Sequence, residues 1–312
     1  MAHSAEVMHL PAPLRWLICT LGALRKRLAN RPGSPHNAWT RAQAAALQSV
    51  LRARLGEGVK VRAAFASSEP SVESLLAEPS SAQRRIVISM SPSDSRLSCG
   101  LLCRALARAG PRAECTPVLA RLWEDPEFAA LNARHAREAR AAWPLDAGQD
   151  QGGRSALLLV FHGTLVQDQR GRTPDFHAGL AEKQHFARAL QSELAEHVGP
   201  PWDEVVIAYL NHDVAGNWSQ PSVATALEAL HARGVNRVWV FPCDFLVEGG
   251  EINGNLQHSL ATGPIADTRL LPCLNDSPEF IDYLASRIQR ALNQPREWWL
   301  CDACPWRVGS SA

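Results

Sequence analysis

The chain has 312 residues, 46% hydrophobic and 20% charged, a composition that excludes intrinsic disorder and suits one large core or two lobes. Thirty-two Lys and Arg against 31 Asp and Glu leave a formal charge of +1, which excludes a bulk electrostatic pull toward nucleic acid or anionic membrane. A small or neutral ligand fits that balance better.

Residues 1–20 lack the basic start, unbroken apolar centre and small-residue cleavage site of a secretory leader, and Arg15 interrupts the best apolar stretch, 10–24. A cytoplasmic protein without a transmembrane segment is expected. A basic apolar stretch at 14–28 leads to the turn Arg31-Pro32-Gly33-Ser34-Pro35. Helical spacing of Ala44, Leu47, Leu51 and Leu55 predicts a helix over 39–55, ended by Gly56 and Gly58. Residues 59–65 alternate like a strand, 70–76 read as a helix, and the β-branched run 85–90 reads as a buried strand closed by Ser-Pro-Ser-Asp-Ser. Helices follow at 99–109 and 125–143, the second opening with Asp125-Pro126, where proline suits the first turn.

The polar, Gly-rich stretch 145–153 reads as a linker. Beyond it, the continuous apolar run Ala156-Leu157-Leu158-Leu159-Val160-Phe161 predicts a parallel strand buried on both faces. A helix over 176–197, a strand over 204–210, a helix over 223–233 stopped by Gly234, strands over 238–242 and 270–274, and a closing helix over 278–292 complete the pattern. Alternating strands and helices predict an α/β fold of two Rossmann-like lobes, each a parallel sheet flanked by helices, with a cleft between them. The expected division is an N-terminal lobe over 1–146, a linker over 147–153, a C-terminal lobe over 154–293 and a tail over 294–312.

In open parallel sheets, ligands bind beyond the carboxyl ends of the strands. Two places qualify. His162 directly follows the apolar run, with Gly163 allowing close backbone approach, and the segment from Phe245 to Ile252 follows the strand at 238–242. A neutral imidazole and a carboxylate facing one cleft can bind a borderline divalent metal, or take a proton from a ligand nitrogen. The alternative is a hydrogen-bonded strand-end histidine with Glu248 and Glu251 as solvated charges.

The chain resembles the ferrochelatases, which insert ferrous iron into a porphyrin in heme synthesis. Residues 157–164 (LLLVFHGT) resemble the family's strand and His-Gly motif, and Trp218-Ser219-Gln220-Pro221 its tryptophan-x-x-proline. Arg233-Gly234-Val235 with 238–245 resembles the turn and strand that follow, the segment from Phe245 to Leu256 its acidic stretch, and 271–280 its leucine-asparagine stretch. In the first half, Gly33-Ser34-Pro35 with Thr40, Gln43, Ala44 and Leu47 is similar to the turn and helix over the porphyrin cleft, and Trp123 with Asp125-Pro126 to a helix start.

The resemblance implies His162 as proton acceptor or metal ligand, Glu251 as the partner carboxylate, and Glu248 as a supporting acid. Porphyrin contacts are implied at Trp16, Leu17, Ser34 and Trp218, with Arg15, Arg25, Lys26 and Arg27 either holding porphyrin carboxylates or forming a solvated face. Fe2+ is the metal substrate. Ten Trp against two Tyr is a skewed choice that supplies flat contact area, although Trp239 reads as core packing. Cys301-x-x-Cys304 invites a [2Fe-2S] cluster completed by Cys273 or Cys115, against an unligated surface pair. Implied partners are a porphyrin, with peripheral membrane contact, in a monomer or homodimer.

Several positions depart from the family pattern. The family's opening strand and its loop precede the point where this chain begins, so the N-terminal lobe is expected to lack its first strand. Thr164-Leu165 stands where a proline follows His-Gly, Ser93-Asp94-Ser95 replaces an aromatic and a glutamine, Gly249 stands two before the glutamate where a histidine is usual, and Asn255 replaces an acid. Competing readings are a degenerate porphyrin or heme binder, and a chelatase loading cobalt or nickel into a sirohydrochlorin-type ring. The second group usually uses paired histidines, and Gly249 with the tryptophan-x-x-proline segment favours the iron enzyme.

Overall fold

The computed structural model describes Thr20 and residues 34–66, 68–78, 82, 84–109, 116–143, 153–174, 176–196 and 201–293. The described elements of the first half are α1 (His36–Leu55), α2 (Val72–Ala77), β1 (Val87–Ile88), α3 (Cys99–Arg108), β2 (Val118–Leu119), a 3-10 turn (Leu122–Glu124) and α4 (Pro126–Ala141). The second half runs β3 (Arg154–His162), β4 (Leu165–Gln167), α5 (Leu180–Ala195), β5 (Glu204–Leu210), β6 (Asn217–Trp218), α6 (Val223–Ala232) and β7 (Val235–Phe241). A π-helical turn (Glu251–Leu256), α7 (Gln257–Thr262), β8 (Asp267–Leu270) and α8 (Pro278–Asn293) close it.

Strands β5, β3, β7 and β8 form a four-stranded sheet in that order, and every pairing is parallel. The alternating side chains of β3 explain why both faces are covered. Leu157, Leu159 and Phe161 join one apolar cluster with Phe128 of α4, Phe186 and Leu190 of α5, Phe280 and Leu284 of α8, and Leu47 and Leu51 of α1. Ala156, Leu158 and Val160 join another with Ala226, Leu227 and Leu230 of α6 and with Ile252 and Leu256. Burying each Leu or Phe of this strand contributes about 1.5–3 kcal/mol. Because β5 lies on one side of β3 and β7 on the other, their carboxyl-end loops diverge from β3. Such a switch point leaves a crevice for ligand.

The first half contributes a smaller parallel pair, β1 beside β2, with Val87 opposite Val118 and Ile88 opposite Leu119. The expected strand at 59–65 is reduced to a single bridge between Phe65 and Ser71. Its backbone is satisfied by α1 instead: Val61 N–H donates to Gln48 Oε1 at 3.0 Å, and the Val59 carbonyl accepts from Arg52 Nε at 3.0 Å. The α4 start behaves as its sequence predicts, with Asp125 Oδ1 accepting the Glu127 N–H at 3.0 Å and Pro126 following.

Several boundaries in the second half differ from expectation, among them the strand expected at 238–242, which runs Val235–Phe241, and two of the differences have a visible cause. The helix expected from 176 begins at Leu180, after Gly179 at φ 78°. A Cβ at Gly179 would lie 2.4 Å from the Asp94 carbonyl, so this close approach to the loop after β1 requires glycine. The strand expected at 270–274 forms its ladder at Asp267–Leu270, and after Leu271 donates to the Val240 carbonyl at 2.8 Å, Pro272 has no N–H to continue. Among the described residues, no helix is long and apolar enough to cross a membrane.

Candidate functional site

Three side chains converge beyond the carboxyl end of the sheet. His162 ends β3, His212 lies two residues after β5, and Glu251 opens the π-helical turn after β7. His162 Nε2 is 3.2 Å from His212 Nε2 and 3.3 Å from Glu251 Oε2, and His212 Nε2 is 3.9 Å from Glu251 Oε1. All three ligand atoms lie within 4.8 Å of one another, the only such metal-sized group of His, Cys, Asp and Glu among the described residues. The side chains are 34%, 31% and 40% exposed, so the group is reachable from solvent.

The hydrogen bonding of His162 determines which nitrogen is available. Nδ1 is 2.8 Å from the Gly163 carbonyl, which can only accept, so Nδ1 carries the proton and Nε2 presents a lone pair. Two imine nitrogens and a carboxylate oxygen this close repel one another unless a proton or a cation lies among them. In the protein alone, a proton on His212 Nε2 fills that role. A divalent metal would replace it and move that proton to Nδ1. Burial, reinforced by the neighbouring His162 ring, lowers the His212 pKa and keeps its ring neutral.

Aromatic rings wall the group. Phe245 lies 5.9 Å from the His162 ring and Trp218 meets His212 edge to face at 5.5 Å. The Trp218 indole N–H donates to the Val214 carbonyl at 2.7 Å, which fixes the ring. Trp218 sits on β6, whose antiparallel ribbon with β4 closes over this end of the sheet. Ser34, at the start of α1, accepts the Gly250 N–H at 3.1 Å and so docks α1 onto the turn that carries Glu251. The Gln43 amide of α1 donates to the Asn275 carbonyl at 2.7 Å.

Other expected residues are placed elsewhere. Glu248 Oε1 accepts the Cys273 N–H at 3.1 Å, and its own N–H donates to Asn275 Oδ1 at 3.3 Å, which engages it with the loop after β8. Cys273 is 1% exposed, and burial pushes its thiol well above the usual range, an environment that disfavours the thiolate an iron–sulfur cluster requires. Trp239 is fully buried, as expected. Trp16, Leu17, Arg15, Arg25, Lys26, Arg27, Cys115, Cys301 and Cys304 lie outside the described residues. Gly163 serves a different approach from the one expected of it: a Cβ there would lie 2.5 Å from Asn211 Oδ1 and 2.6 Å from the Leu210 carbonyl, so its bareness admits the β5 loop.

His212 was not among the residues singled out from sequence, although the strand-end rule that selects His162 selects it equally after Glu-Val-Val-Ile-Ala-Tyr-Leu. Its position also corrects the sequence-based distinction between chelatase types, because paired imidazoles are present here.

Lys183 of α5 and Asp244, just beyond β7, were missed as well. Asp244 Oδ2 accepts the His162 main-chain N–H at 3.1 Å, and Lys183 Nζ lies 3.9 Å from the same oxygen. Burial pushes the Asp244 carboxyl up and the Lys183 ammonium down, each countered by the other's charge.

The Ferrochelatase family model matches residues 4–292. The chain is 27% identical over 312 residues to a ferrochelatase of Polaromonas sp., covering 92% of this chain and 79% of the relative. It is 26% identical over 302 residues to one of Thioalkalivibrio sulfidiphilus, covering 91% and 78%. Among solved structures it is similar in fold to SirB from Bacillus subtilis with Fe3+, at TM-score 0.50 and 15% identity over 80% of this chain and 88% of that one. The sirohydrochlorin chelatase SirB of Bacillus subtilis subspecies spizizenii in complex with cobalt gives TM-score 0.50 and 16% identity, covering 82% and 90%. With a sheet whose switch point holds two imidazoles and a carboxylate, and a family match spanning nearly its whole length, the chain belongs to the ferrochelatase family.

Proposed function

We propose that the protein inserts Fe2+ into a porphyrin, protoporphyrin IX or coproporphyrin III, with both metal and macrocycle as substrates. The observation that carries this reading is the convergence of His162, His212 and Glu251 at the carboxyl end of β3. Two neutral imidazoles and one carboxylate suit a borderline divalent ion, and the single negative charge leaves the metal incompletely neutralised. It can therefore be passed on to a ligand that loses two protons as it binds.

In this mechanism, Fe2+ rests first on the His162 and His212 Nε2 atoms and a Glu251 oxygen. A porphyrin stacked against Trp218 and Phe245 presents its pyrrole nitrogens to the same face. As each N–Fe bond forms, a pyrrole N–H bond breaks. The two protons leave to imidazole nitrogens freed by the departing metal, with the Glu251 carboxylate carrying them toward solvent. The fixed tautomer of His162 suits it to accept, because its open nitrogen already faces the reaction side.

Anaerobic incubation with ferrous iron and each porphyrin, followed by visible absorption, tests this in wild type and His162→Ala. Metallation by the wild type that disappears in the variant is expected. Equal rates in both would move the active residue elsewhere. A second reading, loading of cobalt or nickel into a sirohydrochlorin-type ring, is favoured by the 3.2 Å pairing of the two imidazoles. The same assay with Co2+ and sirohydrochlorin separates the two by which ring is metallated faster.

A further inference from the structure

Behind the three converging groups lies a buried polar cluster that the mechanism does not use. Lys183 Nζ donates to Thr164 Oγ1 at 2.7 Å and faces Asp244 Oδ2 at 3.9 Å, with the two charged side chains 5% and 2% exposed. From this ammonium, one arm leads to each imidazole. On the first, Asp244 accepts the His162 N–H at 3.1 Å and the Ser93 hydroxyl at 2.8 Å. On the second, Thr164 N–H donates to Ser219 Oγ at 3.0 Å, Ser219 N–H returns a bond to the Thr164 carbonyl at 2.9 Å, and the Asn211 amide donates to the Ser219 carbonyl at 2.9 Å. Asn211 adjoins His212.

Two residues that depart from the family pattern, Ser93 and Thr164, thus meet in one network. Stability does not account for it. Taking two ions out of water offsets most of their mutual attraction, and an apolar pair of equal volume generally packs as well or better. What this pair supplies is geometry: a single donor group braces the main chain at 162 and the loop at 211–212.

We propose that Lys183 is a positioning residue for metal loading, its ammonium setting the spacing of the His162 and His212 imidazoles through Asp244 and Thr164. This rests on the reading that those imidazoles take up the metal.

The test is Co2+ titration of the full chain, followed by visible d–d absorption, with porphyrin affinity measured separately by fluorescence quenching. Lys183→Met is expected to weaken Co2+ binding about 10–100-fold and to alter the d–d spectrum, with porphyrin affinity unchanged. The Lys183→Met/Asp244→Asn double variant removes the uncompensated buried charge and keeps an acceptor for the His162 N–H. It is expected to fold and to show the same loss, which decides the matter if the single variant does not fold. A folded variant with wild-type Co2+ affinity and spectrum, even one less stable to urea, would reduce Lys183 to a structural strut and overturn the proposal. Failure of the wild-type chain itself to bind Co2+ would instead sink the metal-site reading, and this proposal with it.

Discussion

Glu251 is the most exposed of the three converging groups, at 40%, and the one whose charge matters most. In the proposed reaction, a carboxylate beside a departing metal acts more strongly in the transition state than on the bound ring, so Glu251→Gln should lower kcat by about 100-fold or more and leave porphyrin affinity nearly unchanged. Absorption kinetics and fluorescence titration measure the two quantities, and equal losses in both would assign Glu251 to ring binding. Far from the cleft, Asp267 shows a plainer electrostatic role. Burial raises its carboxyl, but hydrogen bonds and charge from Arg237 and Arg269 outweigh this and hold it below its ordinary value. A carboxyl depressed on folding contributes stability that is present above about pH 4 and lost as pH falls through its folded value. Asp267→Asn should therefore lower Tm at pH 7 and flatten its decline between about pH 5 and pH 3, as thermal melts across that range would reveal.

At the scale of elements, the junction of β3 and β5 is the tightest constraint on the site. Gly163→Ala would drive a methyl group into Asn211 and the Leu210 carbonyl, atoms that cannot rotate away together. Overpacking of this kind costs about 1–3 kcal/mol, and here it would also part the two imidazoles, so Co2+ affinity should fall further than the melting temperature suggests. At the opposite side, Asp125 caps α4 with one oxygen and accepts the Tyr283 hydroxyl of α8 at 2.8 Å with the other. Asp125→Ala should cost roughly 1–3 kcal/mol in urea unfolding by removing a cap and taking away the acceptor of the Tyr283 hydroxyl, which keeps only the bond it receives from Arg287. Much of this level was legible in the sequence. Six consecutive apolar residues leave little alternative to a doubly covered strand, and Asp-Pro marks a helix start. Elements held by two-residue ladders, such as β4 with β6, leave no periodic trace. The same blindness hid Lys183: it occupies an inward phase of α5, three and four positions before Phe186 and Ala187, but a single lysine reads as surface until its neighbours in space are known. His212 was hidden for a different reason, being two residues past its strand where the eye follows the apolar run and stops.

Across the whole molecule, the halves are not independent in their packing. Phe128 of α4 stacks on Phe186 of α5 at 5.2 Å, and Leu47 and Leu51 of α1 share the cluster that holds Leu157, Leu159 and Phe161. Thermal unfolding should accordingly be a single transition in calorimetry, and Phe128→Ala should shift all of it by about 3–5 kcal/mol. Two resolved transitions, with only the first displaced, would show lobes that melt separately. The family relationship and the sheet topology came from stretches long enough to carry their own signal. Which ring the proposed reaction takes would depend on contacts contributed by many short segments, and no single stretch encodes it.

The central position of β3 has a consequence for the spacing of the three converging groups. Ladder bonds on both flanks let this strand slip only by whole residues, and each step would turn its imidazole to the opposite face. Position 162 is thus a datum that cannot be adjusted by small amounts. Any fine change in that spacing has to proceed through 212 and 251, whose loop and wide helical turn tolerate the sub-ångström adjustments that a strand refuses.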